Sequence, residues 1–406
     1  MRIKSKLGHL TAALAVPFVA AGASQAADAI TDALVSGKPL LDARYRYELV
    51  DQDNGLKDAH ASTLRLRLGY RTQEYFGASA LVEFSTTQPI GAERYNSGPG
   101  GNAKTRYSVV ADPKLTRVNQ AALGYSRIPD TTLTLGRQRI IFDNARFVGN
   151  VGFRQQEQTF DALRVVNRSI PDTTINYVFV DRVNRVFKDI DDKNVDHHLL
   201  NVNYAGLPFG TITGYGYLLD YGSDAPASST KTLGLRLNGG HALAGATRLH
   251  YTAEFARQED YAKFPGSYRA DYGLLALGAT YSDVTATVAH ERLGSDRRAG
   301  KGFETRLATL HAHNGWADQF LVTPADGLRD TSVSVSGKAM GVNLLAVYRD
   351  YRADRGGNDY GSEWGLMARK AFGEHYALEF KAARYDAKDG PFVDTTKLWL
   401  AAEVKF

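Results

Sequence analysis

An apolar–polar alternation of period two runs from Leu40 to the last residue and constrains this 406-residue chain more than any other feature. It is cleanest at the end, in Thr395–Phe406. Leu398, Leu400, Ala402, Val404 and Phe406 share one parity, and Lys397, Trp399, Ala401, Glu403 and Lys405 share the other. Successive side chains of a strand point to opposite faces, so the segment has one apolar and one mostly polar face. Its length suits a tilted strand crossing a bilayer, about 9–11 residues. The same pattern recurs upstream, as Leu41, Ala43, Tyr45, Tyr47 and Leu49 oppose Asp42, Arg44, Arg46 and Glu48.

Eighteen such segments can be placed, the first near 40–49 and the last at 395–406. The links between them alternate in length. Those at 72–75, 126–130, 169–172, 206–209 and 372–375 are short, and those at 51–60, 87–114, 142–157, 183–196 and 292–330 are long. Short periplasmic turns and long outer loops mark bacterial outer-membrane barrels, whereas a soluble sandwich gives no reason for this beat. The expected fold is all-β: a transmembrane antiparallel up-and-down β-barrel of about 18 strands, with short periplasmic turns and long extracellular loops. Every backbone N–H and C=O in lipid must be paired, so the first strand should close on the last. An even count puts both termini in the periplasm and the chain in the bacterial outer membrane.

The N-terminus reads as a secretory signal. Arg2, Lys4 and Lys6 precede an apolar run, Leu10–Ala21, and Ser24-Gln25-Ala26 offers a small-residue cleavage site. The expected division is a signal peptide over 1–26 and a barrel domain over 27–406. Loss of those three bases lowers the formal net charge from +5 to +2, so overall charge gives no argument for nucleic acid. There is no cysteine, which excludes disulfides and thiolate metal sites and suits passage through an oxidising periplasm. The 22 tyrosines and 18 phenylalanines fit aromatic girdles at the two membrane interfaces.

On the strand parities, Arg44, Arg46, Arg65, Arg67, Arg164, Arg236, Arg248, Arg369, Lys381 and Lys397 face inward, beside Glu48, Glu83, Glu254, Glu379 and Glu403. Arginine suits a carboxylate because its planar fork donates two parallel hydrogen bonds and keeps its charge. Arg137 and Arg139 share parity with Leu133 and Leu135. A bulge at Gly136 would bring them into the lumen; without one they lie above the lipid. The loop Phe142–Glu157 carries Arg146 and Arg154, and folded into the bore it would place them at a constriction. The candidate solute-binding set is therefore Arg44, Arg46, Arg65, Arg67, Arg137, Arg146, Arg154, Arg164, Arg236 and Arg369. The competing reading is that these arginines pair with lumen acids and brace the wall.

The block Gly136–Ala162 is distinctive, with Gly136-Arg137-Gln138, Asp143-Asn144, Arg146-Phe147-Val148-Gly149-Asn150, Phe153-Arg154-Gln155 and Gln158-Thr159-Phe160-Asp161-Ala162. A second block joins Leu307-Ala308-Thr309-Leu310-His311 to Asn314-Gly315-Trp316-Ala317-Asp318 and Thr323-Pro324. In these motifs the chain resembles the alginate-export family of outer-membrane porins. The resemblance implies an eighteen-stranded barrel whose arginine-rich lumen passes anionic saccharides, uronates or alginate-like oligomers, or other small organic acids. The alternatives are a general diffusion porin of little selectivity and a surface receptor or adhesin barrel.

Other motifs give bland readings. His311 and His313 have spacing for a metal pair but no evident third ligand, so a hydrogen-bonding loop role is expected. His197 and His198 point to opposite faces. Asp189, Asp191, Asp192 and Asp196 lack the spacing of a calcium loop and read as a solvated acidic stretch. Gly214-Tyr215-Gly216 lacks the third glycine of a dinucleotide fingerprint. No nucleophile–histidine constellation is visible, so no enzyme activity and no cofactor are expected. The expected partners are outer-membrane lipid and lipopolysaccharide, the barrel-assembly machinery through Phe406, and anionic solutes. A monomer is expected.

Overall fold

The computed structural model describes residues 23–187, 193–243 and 245–406. Most of the predicted signal, residues 1–22, lies outside them, as do Asp189, Asp191 and Asp192 of the acidic stretch. A helix that the alternation did not announce comes first, α1 (Ala23–Val35). Its C-terminal end is tied to the first short turn: Gln73 donates from its backbone N–H to Ala33 O and from Nε2 to Ser36 O, both at 3.0 Å.

The strands follow in sequence: β1 (Lys38–Gln52), β2 (Ala59–Arg71), β3 (Ala78–Pro89), β4 (Leu115–Ile128), β5 (Thr131–Gln138), β6 (Thr159–Asn167) and β7 (Thr173–Asn184). Next come β8 (Lys193–Leu207), β9 (Gly210–Asp220), β10 (Thr230–Ala242), β11 (Thr247–Asp260), β12 (Arg269–Tyr281) and β13 (Val284–Leu293). A small hairpin, β14 (Ser295–Asp296) with β15 (Lys301–Gly302), sits in the longest loop. The barrel ends with β16 (Leu328–Ala339), β17 (Val342–Arg352), β18 (Asp359–Phe372), β19 (Tyr376–Ala387) and β20 (Thr395–Lys405).

Apart from the small hairpin, these strands form one 18-stranded antiparallel sheet, and every placed segment corresponds to a strand. The sheet closes where β1 pairs with β20, Tyr45 opposite Ala402 and Leu49 opposite Leu398. Phe406 exchanges backbone hydrogen bonds with Leu41, so no edge remains at the seam. The alternation sorts the side chains as read: Tyr45, Leu64, Leu68, Phe84 and Leu400 are exposed outward, while Arg44, Arg46, Arg65, Arg67 and Glu83 are buried inside.

Gly136 has a positive φ of +117°, yet neither ladder of β5 shifts register there. Arg137 therefore keeps the parity of Leu133 and Leu135 and forms a bidentate pair with Asp161, at 2.7 and 3.0 Å. The bulge that would turn it inward is absent. A Cβ at Gly136 would lie 2.3 Å from Ala121 O. Gly136→Val is thus expected to cost roughly 2–4 kcal/mol from strain and clash; an unshifted urea midpoint for micelle-folded protein would contradict this. A bulge does occur opposite Glu83, where Asn119 is the extra residue of β4. It aims two neighbouring amides, Asn119 and Gln120, at the Glu83 carboxylate.

The interior at the long-loop end is filled by loops. Residues 139–158 and 294–327 enter together and zip along each other: Gly149 N–H donates to Leu307 O at 2.8 Å and Thr309 N–H to Ala145 O at 3.0 Å. Against β6–β12 they build an apolar core, with Phe142, Val148, Phe303 and Leu307 packed on Phe160, Val178, Leu199, Tyr217 and Tyr272. Phe147 stands edge-on to Tyr272 at 5.1 Å. Burying each such side chain contributes about 1.5–3 kcal/mol, which holds the loops in the bore. One side of the long-loop end is thus filled by packed apolar side chains.

Candidate functional site

Charge gathers on the other side of the same loops, against β1–β4 and β18–β20. Arg44 and Arg65 are directly opposite in register on the inner faces of β1 and β2, flanked by Arg46 and Arg67. Like charges placed so repel, and the inward loop answers them with carbonyls. Arg44 donates to Phe153 O at 2.8 Å, Arg154 O at 2.6 Å and Gln155 Oε1 at 2.9 Å. Arg46 binds Phe153 O and Asp112, and Arg65 binds Asp42. Arg67 reaches Glu157 at 3.5 Å.

Both arginines of the inward loop are engaged by acids. Arg154 forks between Glu48 of β1, at 3.1 Å, and Asp318 of the longest loop, at 3.0 Å. Arg146 lies deeper, bound to Glu291 at 2.8 Å and to Asn314 at 2.7 Å. Glu157 is a second junction: it accepts from Arg139, Asn119 and Asn150 at 2.5, 2.5 and 2.8 Å. Arg139 lies past the end of β5, which frees it to reach inside. Burial alone would raise the Glu157 carboxyl, but Arg67 and Arg139 hold it below its ordinary value.

Asp318 ties both loops to the closing strands. Its Oδ1 accepts from His311 Nδ1 at 2.7 Å, and its Oδ2 from Lys397 Nζ at 2.8 Å and from Arg154. Burial works against this carboxylate, yet His311, Lys397 and Arg154 keep it well below the usual range. The other nitrogen of His311 lies 2.7 Å from Lys381 Nζ. Since an ammonium only donates, Nε2 is the acceptor and Nδ1 carries the proton. Phe153 stacks on the His311 ring at 3.5 Å, and Lys381 sits 3.9 Å over Trp316. The hydrogen-bonding role expected of His311 thus takes a specific form. No group of three or more His, Asp or Glu among the described residues is arranged to hold a metal.

Of the remaining candidates, Arg369 touches this cluster through Glu403, which also lies 3.9 Å from Arg44, and the others stand apart from it. Arg236 pairs with Glu254 at 2.5 Å, and Arg369 bridges Glu379 and Glu403. Arg137 is on the outer parity. Arg164 donates to a neutral partner, Asn176, at 2.7 Å, and among the described residues it has no carboxylate within ion-pair distance. Sequence reasoning missed Asp112, Glu157, Asp318 and Trp399 as members of the site. Trp399, edge-on to Phe153 at 5.8 Å and to His311 at 5.5 Å, was visible as the one large aromatic on the polar parity of the last strand.

No protein-family model matches the chain, and no curated protein matches it in sequence. Solved structures do match in fold. Pseudomonas aeruginosa OccK9 (OpdG) superposes with a TM-score of 0.71 at 13% identity, over 92% of this chain and 100% of that one. Acinetobacter baumannii OccAB3 gives 0.70 at 13% identity, over 92% and 99%. Pseudomonas aeruginosa OpdK, in a crystal structure with vanillate, gives 0.69 at 14% identity, over 91% and 99%. The fold is thus that of an 18-stranded closed antiparallel β-barrel of transmembrane-porin topology. These likenesses do not single out the alginate-export family that the sequence motifs resemble.

Proposed function

We propose that this chain is a passive outer-membrane channel for small acidic solutes, with uronate-type saccharides or alginate-like oligomers as the class its motifs favour. The observation that carries the reading is the facing pair Arg44 and Arg65 with Arg46 and Arg67 beside them, on the wall that the inward loops approach. A solute carboxylate can exchange with the loop carbonyls and acids that now occupy these forks, and several weak sites in series let an anion enter and leave. Arg164, with no acidic partner among the described residues, offers a further cation on the way. A fold relative crystallised with vanillate, an aromatic carboxylate, supports the same solute class. In this reading residues 1–26 are a removable leader, both termini face the periplasm, the barrel is a monomer inserted through recognition of Phe406, and it has no catalytic role.

A second reading has its own support. Arg46 with Asp112 and Arg154 with Glu48 are closed ion pairs, and a lumen neutralised this way favours a general pore. Swelling of liposomes separates the two. An anionic channel admits glucuronate at least several-fold faster than glucose, and the excess falls in Arg44→Gln plus Arg65→Gln protein. Equal rates for the two sugars would leave the general pore.

A further inference from the structure

On the outer face, away from the lumen, three arginines stand in one lateral row. Arg292 of β13 is directly opposite Arg329 of β16, and Arg329 is directly opposite Arg352 of β17. Four residues lower on each strand lies another row: Val288, Val333 and Tyr348, continued by Trp364 of β18. Tyr348 and Trp364 pack at 4.7 Å, and Val288 and Val333 are exposed. Valines with a flanking Tyr–Trp pair mark the upper border of the apolar band, where aromatic girdles meet the headgroups. The arginine row is thus roughly 13 Å further along the tilted strands, at the end carrying the long loops.

The row is short of counter-charge. Arg297, Arg298 and Arg355 extend it into the adjoining loops, and these six guanidiniums share Asp296, Asp326, Asp350 and Asp354, the nearby Asp271 and Asp359 being paired with Arg257 and Lys388. Asp354 alone serves three: Arg292 at 2.6 Å, Arg355 at 3.6 Å and Arg329 at 3.9 Å. Its side chain is only 4% exposed, while those of Arg292, Arg329 and Arg352 are 38%, 43% and 62% exposed. Elsewhere on the rim several outer cations have an acid of their own, as in Arg257 with Asp271, Arg384 with Asp386 and Asp394, and Lys388 with Asp359, while Glu259 serves both Lys231 and Arg269. Like charges in direct cross-strand register destabilise a sheet unless something between them is negative.

We propose that this row is a binding site for the phosphate groups of the outer-leaflet glycolipid, whose acyl chains lie along Val288, Val333 and Leu344 beneath it. Phosphate presents several acceptor oxygens to planar forks, which is the geometry arginine recognises. The apolar band directly below supplies the second half of an amphiphile's footprint, which a free anion would not use. The inference rests on the reading that the long-loop end faces outward.

The test is native mass spectrometry of the full chain in detergent with bisphosphorylated lipid A. Bound lipid A is expected on the native barrel, at least tenfold less with the same glycolipid stripped of phosphate, and no displacement by millimolar inorganic phosphate. Arg292→Gln, Arg329→Gln and Arg352→Gln together should lower lipid A occupancy at least tenfold. The corresponding lysine triple should keep most of it, and Arg384→Gln should leave it unchanged. Heat-modifiable gel mobility reports folding of each variant, and the phosphate-stripped comparison on the native chain stands even where a variant misfolds. Equal binding of the stripped lipid, displacement by inorganic phosphate, or an unaffected glutamine triple would each overturn the proposal. Single-channel conductance of the glutamine triple should equal that of the native chain. A native barrel that binds lipid A but conducts nothing would refute the transport reading and leave this one standing.

Discussion

Asp318→Asn is expected to weaken the docking of the inward loops by about 3–5 kcal/mol, the range for removing one partner from a buried charged network. The native carboxylate neutralises Lys397 and Arg154 and orients His311, which in turn accepts from Lys381. An asparagine amide retains one acceptor oxygen and turns N–H groups toward cations that need an anion. The loops that Asp318 fastens to β19 and β20 should then leave their docked position for part of the time. Planar-bilayer recordings should show larger mean conductance with frequent stepwise fluctuations. A trace as quiet as that of the native protein, at the same conductance, would remove Asp318 from this role.

Acid should loosen the same loops without any substitution. Burial presses His313 down to about 3, with Arg146 and Arg349 adding to the effect and Glu291 opposing it. Burial lowers His311 in the same direction. A histidine kept neutral in the docked state and free to protonate in the undocked one contributes stability that is complete above about 6.5. That stability is lost as pH falls from there toward 3, by up to about 1.4 kcal/mol per pH unit for each such group. Asp318 adds in the same sense below the ordinary aspartate value, since its carboxyl is held low in the docked state. Fluctuation frequency should therefore rise steadily from pH 7 to pH 4. His313→Asn should flatten the rise; a native pore whose noise is independent of pH would contradict the assignment.

Much of the barrel was legible because period-two alternation is a local property. Most strands show it, and the short–long rhythm of the links points to the order and the closing pair. The inner parity of Arg44, Arg46, Arg65 and Arg67 followed for the same reason. The inward course of Phe142–Glu157 was suggested by arginines among glycines and amides, and Arg154 and Gln155 do reach β1. What stayed hidden depends on contacts between distant segments. Nothing local tells that Asp318 meets Lys397, or that Glu157 gathers Arg67 and Arg139. The packed apolar side of the lumen has a local signal: Tyr177–Val180 is apolar on both parities, the mark of a strand with apolar neighbours on both faces. Arg137 turned on a single glycine, where positive φ alone does not distinguish a bulge from a register that continues unbroken.

In the proposed function, ions pass through this barrel along a cation-lined wall. This is tested most directly by the reversal potential of the full chain across a tenfold potassium chloride gradient in a planar bilayer. The account predicts a potential of the sign set by chloride permeating faster than potassium, moving toward zero when Arg44→Gln and Arg65→Gln are combined. A potential of the potassium-selective sign, or one that the double substitution leaves in place, would contradict it.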